Sequence, residues 1–261
     1  MLEVTPRILI IAGSDSGGGA GIQADIKTVT MLQGHAMTAI TALTAQNTLG
    51  VTGVMPVPAA FVVQQMDAVI SDIGVDAVKI GMIGSPQTVH AVADRLEHLA
   101  VPIVFDPVMV ATSGSRLADD ATIAAFGRLM RLASVVTPNI PELEALGGEQ
   151  AVLAHGCHLL AKGGHAEGHW IVDRLIAPSG EEVSRLEAKR FDTGDTHGTG
   201  CTLASALATG LGRGFPIAKA FGDAVCFTRI AILEAPGLGE GSGPLGQQYA
   251  TDFQWGERDH D

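Results

Sequence analysis

Two glycine-rich segments have the composition and placement of anion-binding loops. Residues 13–21 follow a short apolar run and precede an amphipathic segment, and residues 194–202 precede a long Ala-rich segment. At a helix start, unpaired backbone N–H groups and the positive end of the helix dipole converge on an anion such as a phosphoryl group. The first segment has neither a dinucleotide fingerprint nor the Lys-Ser/Thr of a Walker loop, so the alternative interpretation is that residues 13–21 form a flexible turn.

The second segment contains Gly198-Thr199-Gly200 followed by Cys201. Small residues at this point allow consecutive amides to surround a transferring phosphoryl group. Cys201 falls in the first turn of the predicted helix, where the dipole favours the thiolate and lowers the pKa of the thiol. It is therefore a candidate proton acceptor, and a buried structural cysteine is the alternative.

Charged and polar residues also follow predicted strands. Asp106 lies near the end of a strand predicted over residues 102–108, and Lys162 follows one predicted over residues 158–161. A carboxylate and an ammonium at such positions suit magnesium and phosphate respectively. Asn139 and Glu142 follow a further strand. Solvated surface charges, and for Glu142 a favourable acid in a first helical turn, are the alternatives.

The segments that position these residues read as strands alternating with helices. The predicted strands are residues 8–12, 36–45, 76–82, 102–108, 134–137 and 158–161; the predicted helices are 22–33, 58–73, 85–99, 119–132, 202–211 and 216–235; residues 170–177 and 182–191 read as a hairpin. Such alternation predicts a mostly parallel sheet, whose carboxyl ends gather at one ligand-binding edge. Residues 1–261 read as one domain, with a loosely packed tail from residue 236.

Composition narrows the class of protein. The 261 residues are 46% hydrophobic and 17% charged, with a mean hydropathy of +0.29, which allows a large buried core. The net charge of −12 argues against nucleic acid or an anionic membrane as partner. Three cysteines without framework spacing, and no apolar run of about 18 residues, predict a cytoplasmic protein rather than a secreted or membrane-spanning one.

Seven motifs in order resemble the bacterial hydroxymethylpyrimidine kinase/phosphomethylpyrimidine kinase family of thiamine biosynthesis, within the ribokinase-like superfamily. The resemblance extends from about residue 8 to about residue 211. Its motifs are residues 12–25, 41–48, 79–82, 106–109, 137–142, 162–165 and 196–202. Each motif is weak alone, and seven in register are specific.

The resemblance implies a three-layer αβα sandwich, a homodimer, and ATP with Mg²⁺ as phosphoryl source. The implied reaction converts 4-amino-5-hydroxymethyl-2-methylpyrimidine to its monophosphate and then to the diphosphate. The matching motifs imply a role for each site residue. Asp25 and Gln46 would hold the pyrimidine edge, Gly13 and Met82 would line its ring, and Asp106 and Glu142 would position Mg²⁺. Lys162, Asn139 and Thr199 would bind ATP, Gly198, Thr199 and Gly200 would form the anion hole, and Cys201 occupies the position where many sugar-kinase relatives carry an aspartate base.

Two readings compete with this one. A pyridoxal kinase of the same superfamily would act on a similar heteroaromatic ring with a hydroxymethyl arm. A catalytically silent pyrimidine-binding module would keep Asp25 and Gln46 and lose the phosphate machinery, but Asp106, Lys162 and Cys201 are all present. One departure from the family is the spacing of Asn139 and Lys162, which predicts a shortened peripheral helix at residues 149–156.

Overall fold

The structure is a computed structural model that describes residues 5–112, 114–164, 168–251 and 253–255. The strands are β1 (Arg7–Asp15), β2 (His35–Asn47), β3 (Gly50–Pro56), β4 (Ala77–Ile80), β5 (Ile103–Phe105), β6 (Val135–Val136), β7 (His158–Ala161), β8 (Trp170–Ile176) and β9 (Glu182–Lys189). The helices are α1 (Gly21–Met31), α2 (Ala59–Asp72), α3 (Pro86–Leu96), α4 (Asp120–Leu132), α5 (Ile140–Ala145), α6 (Glu149–Leu153), α7 (Thr199–Gly212) and α8 (Ile217–Leu233).

The strands form one sheet in the order β3-β2-β1-β4-β5-β6-β7-β8-β9. Strands β2, β1, β4, β5, β6 and β7 run parallel to their neighbours within this group. Strand β3 and the β8–β9 hairpin are antiparallel additions at the two sides. The carboxyl ends of the six parallel strands therefore share one edge, as the alternating pattern predicted.

Helices cover both faces of the sheet, and β1 shows how the sequence divides them. Leu9 and Ile11 pack into one core with α2, α3 and α4, whereas Ile8, Ile10 and Ala12 pack into a second core with α1, α7 and α8. Successive side chains of a strand point to opposite faces, so a continuous apolar run is what a strand buried on both sides requires. The predicted three-layer α/β sandwich is confirmed.

Local signals fix several helix starts near the site. Ser85 and Asp119 accept hydrogen bonds from Thr88 N and Thr122 N at the starts of α3 and α4. Asn139 and Glu142 form a reciprocal capping box at the start of α5. The segment between Asn139 and Lys162 contains two short helices, α5 and α6, in place of one full helix. The sequence did not predict β3.

Within the described part of the chain, no helix is long and apolar enough to span a bilayer.

The prediction of a loosely packed tail is wrong for residues 242–250. Leu245, Gln247 and Ala250 are buried, and Gln247 Nε2 donates to Thr202 Oγ1 at 3.0 Å. His197 N donates to Gly243 O at 3.1 Å. The glycines and polar residues that suggested looseness instead allow close approach to the loop before α7, so this segment supports the start of that helix. Residues 252 and 256–261 lie outside the described part.

Candidate active site

A cavity of about 950 Å³ runs along the carboxyl edge of the sheet. It brings together all the site residues predicted from the sequence except Asp25. The residues that line it are Gly13, Gln46, Met82, Asp106, Asn139, Glu142, Lys162, Gly198, Thr199, Gly200 and Cys201. They come from segments spread over nearly 190 positions, and the shared edge of the parallel strands is what makes them neighbours.

The two glycine-rich segments pack directly on each other. Gly198 caps α7 with a φ of 90°, and a Cβ at this position would overlap the carbonyl oxygen of Gly19. A Cβ at Gly19 would in turn overlap the ring of His197. The left-handed conformation and the close approach both require glycine at position 198. The start of α7 is therefore built on the loop that follows β1.

We expect Gly198→Ala to destabilise the protein and to displace the loop before α7. The left-handed backbone costs a non-glycine residue about 1–3 kcal/mol, to which the overlap with Gly19 adds. Gly194→Ala is the matched control, since a Cβ there meets nothing within 4 Å. Urea denaturation of both variants tests this, and equal stability of the two would show that the loop does not depend on Gly198.

The start of α7 faces a lysine and an aspartate from the sheet edge. Lys162 Nζ lies 2.9 Å from Asp106 Oδ1. A Cβ added at Gly200 would lie 3.2 Å from Lys162 Nζ and 3.5 Å from Asp106 Oδ2. The first N–H groups of α7 have no intrahelical acceptor, so they and the Lys162 ammonium converge on one volume. This volume suits a phosphoryl group.

Burial and charge act against each other around Lys162. Burial opposes its charge, but the carboxylates of Asp106 and Glu142 outweigh burial and hold the pKa of Lys162 above its usual range. Asp106 also accepts a hydrogen bond from Thr137 Oγ1 at 3.0 Å. Lys162 is therefore a permanent cation at neutral pH, placed where the acidic protein needs local compensation for phosphate charge.

The surroundings of the Glu142 carboxyl group disfavour its ionised form. Burial, together with the nearby charge of Asp106, raises its pKa to about 7 despite the opposing effect of Lys162. Its Oε2 accepts from Asn139 N at 2.8 Å. A buried carboxyl group close to a second carboxylate is a group that a divalent cation would stabilise in its charged form.

We expect the unliganded protein to lose stability as the pH rises from about 4.5 to about 7. The pKa of Glu142 is raised in the folded state, so the folded protein favours the protonated form, and ionising it costs up to about 3 kcal/mol. Glu142→Gln should remove this part of the pH dependence. Glutamine also serves in a capping box, so α5 keeps its start.

Urea denaturation of both proteins at pH 5 and pH 8 measures the effect. The wild type should lose more stability than Glu142→Gln between the two values. The same loss in both proteins would show that the fold does not raise the pKa of Glu142.

The residues present fit a magnesium ion that is completed by phosphate and water. Among the residues that the structure describes, no cluster of three or more His, Cys, Asp or Glu side chains could hold a metal by itself. Mg²⁺ is commonly bound through one or two carboxylates plus substrate phosphates, and Asp106 with Glu142 offers such a pair.

Asp25 does not lie in the cavity wall, which corrects its predicted contact with the pyrimidine. It is fully buried and accepts from Lys79 Nζ with both oxygens at 2.9 Å and from Ser205 Oγ at 2.7 Å. Burial opposes the charge of Lys79, but Asp25 and the nearby Cys201 and Asp106 hold its pKa above the usual range. Asp25 thus neutralises a buried lysine beneath the site instead of touching a ligand.

Cys201 lines the cavity, but its predicted low pKa is wrong. Burial raises the pKa of the thiol to about 11, and the negative charges of Asp25 and Asp106 add to this effect. The ammonium of Lys79 and a backbone hydrogen bond from Gly21 act in the opposite direction without reversing it. Desolvation outweighs the helix dipole here, so Cys201 is a protonated thiol at neutral pH.

The β1–β4 end of the cavity is lined by Gly13 and Met82. A Cβ at Gly13 would lie 2.8 Å from Met82 Sδ, so glycine at this position allows the Met82 side chain to lie against β1. Gln46, at the end of β2, lines the same end. The structure brings together Gly13, Met82 and Gln46 as the sequence predicted.

The β8–β9 end of the cavity is lined by apolar side chains that the sequence did not reveal. Ile171, Phe191, Val225 and Ile232 belong to this part of the wall, and Arg229 stacks on Phe191 at 4.5 Å. These residues are distant in sequence and belong to no motif, so only the fold brings them together.

Sequence reasoning also missed Asp15, Lys79 and His197. All three line the cavity and are buried. Each offered a signal: Lys79 interrupts an apolar strand, and Asp15 and His197 lie inside the glycine-rich segments. A lysine in a buried strand requires an acidic partner, which Asp25 supplies. His165, the last residue of the 162–165 motif, lies outside the described residues.

This chain is similar to known kinases along most of its length. The model of the family described as phosphomethylpyrimidine kinase matches residues 15–246. A hydroxymethylpyrimidine/phosphomethylpyrimidine kinase of Rhizobium meliloti (strain 1021) is 46% identical over 259 residues, which cover 93% of this chain and 97% of that protein. The thiamine biosynthesis bifunctional protein ThiED of Geobacter sulfurreducens is 46% identical over 260 residues, covering 94% of this chain and 53% of that protein.

A solved structure shares the whole architecture. The ADP complex of Bacillus subtilis pyridoxal kinase aligns with a TM-score of 0.85 and 31% identity, and the alignment covers 94% of this chain and 98% of that one. This likeness confirms the predicted ribokinase-like fold.

Proposed function

This chain belongs to the phosphomethylpyrimidine kinase family, and we propose that it uses ATP to phosphorylate 4-amino-5-hydroxymethyl-2-methylpyrimidine twice, for thiamine biosynthesis. The first transfer produces the monophosphate, and the second produces the diphosphate. Both transfers occur in the same cavity, at the anion-binding groups at the start of α7.

The order of features along the sheet edge is the observation that carries this proposal. Met82 and Gln46 lie at the β1, β2 and β4 end, Asp106 and Lys162 lie at β5 and β7, and Ile171 and Phe191 lie at the β8–β9 end. The part of the cavity lined by Met82 and Gln46, the part lined by Asp106 and Lys162, and the apolar part lined by Ile171 and Phe191 therefore follow one another along the sheet edge. A pyrimidine, a transferring phosphoryl group and a nucleotide base fit these three places in that order.

The transfer needs positioning and charge stabilisation more than covalent chemistry by the protein. The hydroxymethyl oxygen attacks the γ-phosphorus, a P–O bond to it forms, and the bond between the γ-phosphorus and the bridging oxygen of ADP breaks. Lys162 and the N–H groups at Gly200 and Cys201 stabilise the charge on the phosphoryl oxygens. Asn139 and Thr199 lie beside them in the cavity wall, where they would contact the nucleotide phosphates.

Asp106 and Glu142 would hold Mg²⁺, directly or through water, and the ion would neutralise phosphate charge when bound. Together with Lys162, this explains how a protein with a net charge of −12 accepts a polyanionic nucleotide.

Pyridoxal phosphorylation is the second candidate, favoured by the likeness to Bacillus subtilis pyridoxal kinase. Steady-state ADP release with the hydroxymethylpyrimidine, its monophosphate and pyridoxal as acceptors separates the readings. We expect both pyrimidines to be used with a higher kcat/KM than pyridoxal. A preference for pyridoxal would favour the second candidate, and no ADP release with any acceptor would favour a silent binding module.

We also propose that the protein acts in the cytoplasm as a homodimer. Exposed apolar side chains on β2 and β3 support an interface, because Leu43 and Met55 pair across the two strands and Phe61 follows nearby on α2. Light scattering should show a dimer, and Met55→Glu should weaken it. A monomeric wild type would contradict this proposal.

A further inference from the structure

His197 joins three parts of the cavity wall through its imidazole ring. Its Nε2 lies 2.9 Å from Asp15 Oδ2 and 2.9 Å from the atom assigned as Nε2 of the Gln46 amide. Its Nδ1 lies 3.1 Å from Thr112 Oγ1. The ring is buried, and its contact with Gln46 links it to the residue proposed to recognise the pyrimidine edge.

The neighbours of Asp15 show that Nε2 carries a hydrogen. Asp15 accepts backbone hydrogen bonds from Gly17, Gly19 and Ala20 at 2.8, 3.0 and 2.8 Å. Burial opposes its charge, but these donors and His197 outweigh burial and lower the pKa of Asp15. Asp15 is therefore an ionised acceptor, and a ring nitrogen 2.9 Å from it must donate.

A donor on Nε2 determines which end of the Gln46 amide faces it. The two ends of a terminal amide have nearly the same shape, so the hydrogen-bond partners decide which end is oxygen. The structure assigns the amide nitrogen of Gln46 to the position nearest Nε2, and the hydrogen-bond partners reverse that assignment. The position must be the oxygen, because Nε2 has no free lone pair and shares its one hydrogen between Asp15 and Gln46.

Thr44, at the other end of the amide, gives the same answer independently. Its hydroxyl has one hydrogen, which it donates to Ser14 O at 2.9 Å. The Gln46 position assigned as Oε1 lies 3.3 Å from Thr44 Oγ1, but the hydroxyl hydrogen is already used on Ser14. With the amide reversed, the NH₂ occupies this position and donates to the hydroxyl. His197 and Thr44 therefore hold the amide in a single orientation.

We propose that His197 is a specificity-determining positioning residue, which locks the amide of Gln46 so that the cavity accepts a 4-aminopyrimidine and rejects its 4-oxo analogue. This inference rests on the proposed function, in which Gln46 pairs with the ring edge.

The reason lies in the polarity of the two ring edges. The locked amide offers the cavity one N–H and one oxygen lone pair in a fixed order. A 4-aminopyrimidine offers an exocyclic N–H donor beside a ring-nitrogen acceptor, whereas the 4-oxo compound offers an acceptor beside an N–H donor. The hydroxymethyl arm must face the start of α7, so the ring cannot turn over. A freely rotating amide would pair with either edge.

Two substitutions separate this role from a merely structural one. The side-chain amide of His197→Gln reaches the position of ring Nε2 and keeps a donor there. The amide of His197→Asn reaches only the position of Nδ1, so it keeps the contact with Thr112 and loses the contacts with Asp15 and Gln46. The readout is the ratio of kcat/KM for the 4-amino substrate to that for its 4-oxo analogue, with ATP saturating.

The wild type and His197→Gln should prefer the 4-amino ring by roughly 10²-fold, since a reversed edge leaves two polar pairs unmade. In His197→Asn the preference should fall at least about tenfold, because kcat/KM for the 4-oxo ring rises relative to the 4-amino ring. General damage to the site would lower both values together. An unchanged ratio in His197→Asn, or the same change in both variants, would overturn the proposal.

A measurement without substrate separates this proposal from the proposed function. The ¹⁵N spectrum of the imidazole rings, assigned by loss of a signal in His197→Gln, should show a protonated Nε2 in the unliganded protein. If the wild type phosphorylates neither ring, the proposed function fails, while this spectrum still tests whether His197 fixes the orientation of the Gln46 amide. An unprotonated Nε2 at neutral pH would overturn it.

Discussion

Replacing Lys162 with Met should lower kcat for the first phosphorylation by about 10²–10³-fold, the loss expected when one donor to a developing charge is removed. Lys162 Nζ lies beside Gly200 at the start of α7, where the transferring phosphoryl group is proposed to lie. The KM for the pyrimidine should change little, because the ring is proposed to bind at the β1–β4 end of the cavity. Initial rates at saturating ATP and Mg²⁺ measure both parameters.

Lys162→Met leaves Asp106 without its cation, which is costly for a buried carboxylate. The double variant Lys162→Met/Asp106→Asn removes that charge and shows whether lost activity is only lost stability. Lys219→Ala is a further control, because Lys219 is also paired with an aspartate, Asp223 at 2.9 Å, but lies outside the cavity. A kcat within about threefold of wild type in a folded Lys162→Met protein would show that Lys162 does not act on the phosphoryl group.

Cys201→Ala should slow the first phosphorylation by about 10²-fold and the second much less. A proton must leave the hydroxymethyl group in the first step, and a positioned base contributes about 10²–10⁴-fold to such a transfer. The acceptor of the second step is a phosphate that is already largely ionised near neutral pH. We expect the low end of the range, because a thiol with a pKa of about 11 is a thiolate only in a small fraction at neutral pH.

The pH dependence gives the sign of this effect. Because the pKa of Cys201 is raised, the thiolate fraction grows as the pH approaches 11, so the first step should accelerate with pH in the wild type and not in Cys201→Ala. Cys157→Ala is the matched control, since Cys157 is a buried thiol whose pKa is also raised to about 11 but which packs in the other core. Equal slowing of both steps, or none, would show that Cys201 only fills space.

The fold and most of the site follow from local sequence signals. All six parallel strands were predicted from apolar runs bounded by glycine, proline and capping residues. Because parallel strands end at the same edge of a sheet, Asp106 and Lys162 were expected to lie at one edge. Strand β3 escaped detection because its sequence, Gly50–Pro56, contains two glycines and a proline and is mostly exposed. Its strand character comes from pairing with β2, which is a tertiary contact.

The errors at the site have one physical cause, which is burial. The dipole at the start of α7 predicted a thiolate at Cys201, but the depth of the cavity decides its pKa. Asp25 fitted a substrate contact by motif, yet it lies beneath the wall as the partner of Lys79. Local sequence indicates neither how deeply Cys201 is buried nor which residue pairs with Asp25, so both could be known only from the assembled fold.

One cavity is proposed to phosphorylate the same pyrimidine twice, and the identity of the products distinguishes two transfers from one. Wild-type protein, ATP and Mg²⁺ are mixed with 4-amino-5-hydroxymethyl-2-methylpyrimidine, and products are followed over time by ³¹P NMR and mass spectrometry. We expect a monophosphate that rises and then falls as the diphosphate accumulates, with one ADP formed for each phosphoryl group transferred. A reaction that stops at the monophosphate, or that phosphorylates pyridoxal and leaves the pyrimidine unchanged, would contradict it.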